Sequence, residues 1–236
     1  MKTTRILIAG FGGQGILFAG KFLAYKGLLE DLQVSWLPSY GPEMRGGTAN
    51  CNVILSDDPV GSPIITDPDV LIVMNLPSLQ KYVDMVVPGG QIYVDSTLIS
   101  EKVAREDVEV YYIPATQMAN DAGVPTLANM VMMGHVLKNN PELTFDGAEA
   151  TVNKLVPPSK AQLVELNMKA LQAGRATAHK KDIKMSIIDS FDGKSGAILN
   201  PEDIVSRPEN FPKTVLASFQ KGIVQELHNI LQPEEF

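Results

Sequence analysis

An α/β fold, a mostly parallel sheet carrying helices on both faces, is predicted by three observations on the first 140 residues. Apolar runs of strand length alternate with longer segments of helical composition. The first run, Arg5–Ala9, stops at a glycine loop, Gly10-Phe11-Gly12-Gly13-Gln14-Gly15, which matches G-x-G-x-x-G between a strand and a helix. Val70–Met74 is apolar without alternation, which suits a strand buried on both faces.

The elements follow in order. Arg5–Ala9 is a β-branched and leucine-rich strand, Gly10–Gly15 the loop, and Ile16–Lys26 the helix after it. Gln33–Leu37 reads as a second strand, ended by Pro38, and Ala49–Leu55 as a third whose residues alternate in direction. With no helix before it, that third strand predicts a locally irregular edge. Val70–Met74 ends at Asn75, Ser78–Val86 is a helix, and Pro88-Gly89-Gly90 a turn. Gln91–Val94 and Val108–Ile113 complete the strands. Pro125 suits a first helical turn, with Thr126–Leu137 as the helix behind it. Lys160–Gln172 sets Leu163, Leu166, Ala170 and Leu171 on one face, and Gly174 supplies a stop. These elements define a domain over residues 1–174. Residues 175–236 form a C-terminal extension with a strand at Met185–Ile188 and an amphipathic helix at Lys213–Leu231, striped by Leu216, Phe219, Ile223, Leu227 and Ile230.

Composition narrows the function. The chain has 236 residues, 44% of them hydrophobic, enough for one sizeable core. Twenty Lys and Arg against 27 Asp and Glu leave a net charge of −7, and no basic run tracks phosphates, so nucleic acid is a poor partner. No apolar stretch is long enough to predict a membrane span. Ile6–Ala19 superficially resembles a secretory signal, but Gly10, Gly12, Gly13, Gln14 and Gly15 interrupt it, so a cytoplasmic protein is expected. One cysteine, Cys51, allows no internal disulfide and no thiolate-held iron–sulfur or zinc site.

The glycine loop has two readings. Its helix start presents free N–H groups and a partial positive charge, which attract phosphate. Alternatively, the glycines only let helix and sheet pack closely. A dinucleotide would further need an acidic residue at the end of the second strand, to hold ribose hydroxyls. That strand ends at Leu37-Pro38-Ser39, while Glu30 and Asp31 lie at its wrong end.

The stretch from Ser39 to Asn50 follows a strand and so belongs to the carboxyl edge of the sheet, where ligands bind in open α/β folds. Pro42, Gly41, Gly46 and Gly47 shape a loop that carries Tyr40, Glu43 and Arg45. Arg45 can fork onto a phosphate or a partner's carboxylate, or pair with Glu43.

Together these segments resemble the gamma subunit of 2-oxoacid:ferredoxin oxidoreductases. The likeness rests on Gly12-Gly13-Gln14-Gly15-Ile16, on Ser39–Ala49 with its Glu43-Met44-Arg45-Gly46-Gly47 core, and on Pro114-Ala115-Thr116 and Asn129-Met130-Val131. Asn75 and Val94-Asp95-Ser96 fall where that family's strands end. The likeness runs from about Arg5 to Gly174, and is greatest to the 2-oxoglutarate and 2-oxoisovalerate enzymes.

The resemblance implies a Rossmann-like domain in a complex that decarboxylates a 2-oxoacid, passes electrons to ferredoxin and releases an acyl-CoA. It implies partners: alpha, beta and ferredoxin-like delta subunits, with thiamine diphosphate and the iron–sulfur clusters held on them. Coenzyme A is the one cofactor it leaves open to this chain. The expected ligand-facing residues are Gly12, Gly13, Gln14, Gly15, Ser39, Tyr40, Glu43, Arg45, Gly46, Gly47 and Asn75, with no catalytic residue and no metal ligand. Two other readings remain: an indolepyruvate oxidoreductase beta subunit and a free-standing NAD(P)-binding dehydrogenase.

The other polar residues have structural readings beside functional ones. Cys51 reads as a small buried hydrophobe, and Met130, Met132 and Met133 as core or subunit-contact filler. His135, His179 and His228 share no metal-ligand spacing. Asn75 and Asn129 read either as ligand contacts or as buried structural amides. Asp95, with Ser96 and Thr97, reads as a cap for the next helix.

Overall fold

In the computed structural model of the chain, residues 3–39, 48–140 and 142–177 are described. The expected strand at Met185–Ile188 and helix at Lys213–Leu231 lie outside them. Six strands form one sheet: β1 (Thr4–Phe11), β2 (Gln33–Ser39), β3 (Thr48–Ser56), β4 (Val70–Val73), β5 (Gln91–Asp95) and β6 (Glu109–Ile113). Six α-helices accompany them: α1 (Ile16–Leu29), α2 (Leu76–Tyr82), α3 (Ala115–Asp121), α4 (Ala128–Asn139), α5 (Ala148–Leu155) and α6 (Gln162–Ala176). None is long and apolar enough to cross a membrane.

The strand order is β2-β3-β1-β4-β5-β6. β1, β4, β5 and β6 are parallel, whereas β3 runs antiparallel to both β1 and β2. The sheet is therefore mixed, and β3 is its one reversed strand. It lies inside the sheet and is not the irregular edge that its sequence context predicts. A strand that returns directly from β2 can pair only antiparallel, and it enters between β2 and β1 because both sides offer unpaired backbone groups. β2 is left as the edge, where Pro38 costs no ladder bond on its solvent side.

Both faces of β1 are covered, so its side chains are apolar in both directions. Ile6 and Ile8 join Cys51, Val53, Ile72, Tyr93 and Ile113 under α1, α3, α4, α5 and α6. Leu7 and Ala9 join Leu71, Val73, Ile92 and Val94 under α2, through Leu79 and Tyr82. Helices thus cover both faces, though unequally. Each fully buried Leu, Ile or Phe contributes about 1.5–3 kcal/mol.

Several element boundaries depart from the sequence pattern, and β2 runs through Pro38 to Ser39 instead of ending before it. β1 extends through Gly10 and Phe11, so the loop is shorter than the glycine motif. Pro125 opens a 3-10 turn, Pro125–Leu127, and the α-helix begins only at Ala128. α2 covers Leu76–Tyr82 and then tightens into a 3-10 turn at Val83–Met85. Gly174 is no stop: α6 continues to Ala176. The periodicity misses α3 and α5, which have seven and eight residues, too few turns to show a stripe.

Gly174 has a packing reason. Residues Ala128–Leu137 of α4 are all buried, Met130, Met132 and Met133 included, and α6 crosses this helix at very close range. A Cβ on Gly134 would lie 1.9 Å from the Leu171 carbonyl oxygen, and one on Gly174 1.8 Å from that of Val131. Each glycine faces the backbone of the other helix, so neither helix can yield by a rotamer change. Gly134→Ala is expected to force the helices apart and to destabilise the fold by about 1–3 kcal/mol. Urea denaturation monitored by circular dichroism would show this as a lower midpoint with unchanged slope.

Candidate functional site

The parallel strands direct their carboxyl ends to one edge. β1 ends there at Phe11 and β4 at Val73, followed by Met74 and Asn75; β5 ends at Asp95 and β6 at Ile113. β2, antiparallel to β3, runs in the same direction as β1, so Ser39 also lies at this edge. Thr48, opposite Phe11, begins β3 there. Tyr40, Glu43, Arg45, Gly46 and Gly47 lie outside the described residues, but both neighbours of their segment belong to the carboxyl edge.

The glycine loop is held by three side-chain contacts. The Gln14 carboxamide folds back over Gly10, accepting from the Phe11 N–H at 2.5 Å and donating to the Met74 carbonyl at 2.9 Å. A Cβ on Gly10 would come within 2.6 Å of Gln14 Oε1. Asn129, at the start of α4, donates to the Gly15 carbonyl at 3.1 Å. Gly15 itself has φ 73°, and a Cβ there would meet Asn129 Nδ2 at 2.6 Å. Packing explains Gly10 and Gly15. It does not explain Gly13, which has φ 95° and nothing within 4 Å of where a Cβ would stand.

Among the described residues, the N–H groups of Gly12 and Gly13 meet no backbone carbonyl. They adjoin the α1 N-terminus, whose first N–H groups also lack intrahelical partners. Phe11, Gly12, Gly13, Gly15, Ile16, Leu17, Phe18 and Ala49 line an open cavity of about 260 Å³. Its donors and its partial positive charge suit a phosphate or another small anion.

Asn75 caps α2. Its Oδ1 accepts from the Ser78 N–H at 2.8 Å, while its Nδ2 is buried without a partner among the described residues. Its first duty is structural. Asp95 is fully buried and accepts from the Thr97 N–H at 3.1 Å, but it also reaches to the neighbouring element, where the Thr116 hydroxyl donates to it at 2.5 Å. It therefore ties the start of α3 to β5. Sequence reasoning assigns Thr116 no role beyond its motif, whereas Asn129, an amide inside an apolar run, takes the structural of its two readings.

Cys51 faces the helical layer at 0% exposure, and its thiol donates to the Ile16 carbonyl at 3.6 Å. A Cβ on Gly20 would lie 2.3 Å from its sulfur, so the absence of a side chain there makes room for the thiol. Burial pushes the thiol pKa from 9.0 up to about 12.

The dinucleotide reading weakens further here. In the usual arrangement β2 lies beside β1, and its terminal acid reaches a ribose. Here β3 occupies that place and β2 lies one strand further out, about 10 Å from β1.

Comparison with known proteins adds four findings. A model of the pyruvate ferredoxin/flavodoxin oxidoreductase family matches residues 5–177. Ketoisovalerate oxidoreductase subunit VorA of Methanothermobacter thermautotrophicus is 38% identical over 176 residues, covering 75% of this chain but only 36% of the relative, so the chain spans about a third of that protein's length. 2-Oxoglutarate synthase subunit KorC of Methanothermobacter marburgensis is 36% identical over 177 residues, 72% of this chain and 94% of the relative. Among solved structures, the gamma subunit of a keto/oxoacid ferredoxin oxidoreductase from Geobacter sulfurreducens superposes with a TM-score of 0.65 at 31% identity, over 74% of this chain and 95% of that one.

Two outcomes are expected. Gly15→Ala, strained at positive φ and crowded by Asn129, should lower stability by about 1–3 kcal/mol, read as a lower melting midpoint. Cys51 should resist alkylation at pH 7–9 until the chain unfolds, since only the thiolate reacts. Its folded pKa is raised, so the folded state keeps the proton between 9.0 and about 12 while the unfolded chain loses it. Stability should therefore fall as pH rises through that window. Cys51→Ala should flatten the fall in pH-dependent melting.

Proposed function

The chain belongs to the pyruvate ferredoxin/flavodoxin oxidoreductase family, and from that membership we propose that it is the gamma subunit of a multi-subunit 2-oxoacid:ferredoxin oxidoreductase. The complex oxidatively decarboxylates a 2-oxoacid to an acyl-CoA, with alpha and beta subunits carrying thiamine diphosphate and a ferredoxin-like delta subunit passing electrons to ferredoxin. Near-complete coverage of a 2-oxoglutarate synthase subunit and of a gamma subunit supports the one-domain role. The chemistry of the residues supports the division of labour. The one thiol is buried and protonated, which suits no cluster, so the redox groups belong to partners. A cytoplasmic location goes with this reading.

The observation that carries the proposal is the cavity beside Gly12 and Gly13, whose N–H groups at a helix start meet no backbone carbonyl among the described residues. Those donors and the open space at Gly13 fit a phosphate of coenzyme A, whose thiol receives the acyl group in the complex. This chain's share is binding. Gly12, Gly13 and the α1 N-terminus hold a phosphate oxygen, Gln14 and Asn129 fix the loop, and Phe11 and Phe18 exclude water from one side. Ser39, Tyr40, Glu43, Arg45, Gly46 and Gly47 belong to the same site in this proposal, because Ser39 and Thr48 bring both ends of their segment to the carboxyl edge. Arg45 adds a charged fork, and Asn75 a support beneath. The 2-oxoacid is 2-oxoglutarate or 2-oxoisovalerate, and its pocket lies on the partners.

Calorimetric titration of the full chain with coenzyme A tests the site. Arg45→Ala is expected to weaken binding by about tenfold to a hundredfold, the loss of one charge-assisted phosphate contact, without changing the melting temperature. Unchanged affinity together with unchanged co-purification of the other subunits would remove Arg45 from the site.

A further inference from the structure

The strand order reverses between β1 and β4: β2 and β3 lie on one side of β1, and β4, β5 and β6 on the other. α1 and α2, the helices that follow β1 and β4, pack on opposite faces of the sheet. This is the topological switch point, and the crevice outside it is where open α/β sheets take a dinucleotide, its pyrophosphate lying over the first turn. Here the crevice is filled. Met74 donates to the Ala9 carbonyl at 2.9 Å, so the next rung of a parallel ladder would run from the Phe11 N–H to the Met74 carbonyl. The Gln14 carboxamide is inserted into that rung, accepting from Phe11 and donating to Met74. It acts as a surrogate peptide group that bridges the two strands as they part. It also consumes a backbone donor of the crevice, and its oxygen stands over Gly10, where close approach of a pyrophosphate would be needed.

We propose that Gln14 is a specificity-determining residue that closes the switch-point crevice to dinucleotides, so that the loop accepts a phosphate only from the β3 side. Gly12 and Gly13, which carry the remaining donors, line the cavity that reaches Ala49 on β3. At about 260 Å³ that open cavity has room for a phosphate and its immediate substituents. The inference rests on the glycine loop holding a phosphorylated carrier. It adds the reason why a loop with this spacing discriminates among such carriers.

The test is calorimetric titration of the full chain with NADH and, separately, with coenzyme A. The native chain is expected to show no NADH binding at millimolar concentration. Gln14→Ala, which empties the crevice, is expected to bind NADH at least about tenfold more tightly than the native chain, in competition with coenzyme A. Gln14→Met fills the same space without the two hydrogen bonds and is expected to remain closed to NADH. A folded Gln14→Ala chain that gains no NADH affinity overturns the assignment, as does a native chain that binds NADH equally well or a Gln14→Met chain that binds it like Gln14→Ala. Should Gln14→Ala fail to melt cooperatively, Gln14→Ser, whose hydroxyl retains one polar partner for the crevice, carries the same comparison. Failure of the native chain to bind coenzyme A would count against the proposed carrier, while the NADH comparison still decides the role of Gln14.

Discussion

The antiparallel pairing of β1 with β3 governs most of what this domain does. Eight residue pairs, from Thr4 with Leu55 to Phe11 with Thr48, fasten β3 along the whole of β1. Backbone groups buried in a sheet must be paired, so a strand inserted here excludes any other strand from that side. β2 is displaced to the edge, and β4 is left as the only parallel neighbour of β1. The register also sets which side chains look toward the helices. Cys51, Val53 and Leu55 alternate onto the face shared with Ile6 and Ile8, and a slip of one residue would turn Asn50 and Asn52 inward instead.

At the carboxyl edge this pairing converts a familiar nucleotide-binding outline into a different site. The loop after β1 retains its glycines and its helix start, and among the described residues the N–H groups of Gly12 and Gly13 meet no backbone carbonyl. What it lacks is the neighbour that would hold a ribose, because β2 now ends two strand positions away. The segment joining β2 to β3 starts and finishes at that same edge, next to the loop. Gln14 and Asn129 brace the loop from its two sides, one from the crevice and one from the start of α4. Backbone donors at a helix start describe a place to hold an anionic group rather than a place where bonds are made.

The helical layer shows how tightly the rest is coupled to the site. α4 is buried along nearly its full length, and its second residue, Asn129, bonds the glycine loop. It can lie so deep because Gly134 and Gly174 let α6 cross it at backbone contact. Asp95 adds a second connection at the carboxyl edge, joining β5 to the start of α3 through Thr116. Buried polar bonds of this kind add little net stability each, but a missing partner costs more than the bond contributes. They therefore fix the relative placement of elements.

Local signals sufficed where one physical preference dominated. The strand at Val70–Val73, the glycine loop before a helix, the lone cysteine's burial and the carboxyl-edge position of Ser39 all follow from side-chain alternation, turn chemistry and strand direction. Short helices such as Ala115–Asp121 left no stripe to read, and Gly174 carried the composition of a stop while serving a helix crossing. The family resemblance was carried by residues close together in the chain. What the amino-acid order alone determined was thus the set of strands, the first core and the position of the phosphate-suited loop, since each depends on neighbours within a few residues. The insertion of β3 beside β1, the approach of α6 to α4 and the Gln14 bridge from Phe11 to Met74 were decided only in three dimensions, because each joins backbone groups far apart along the chain.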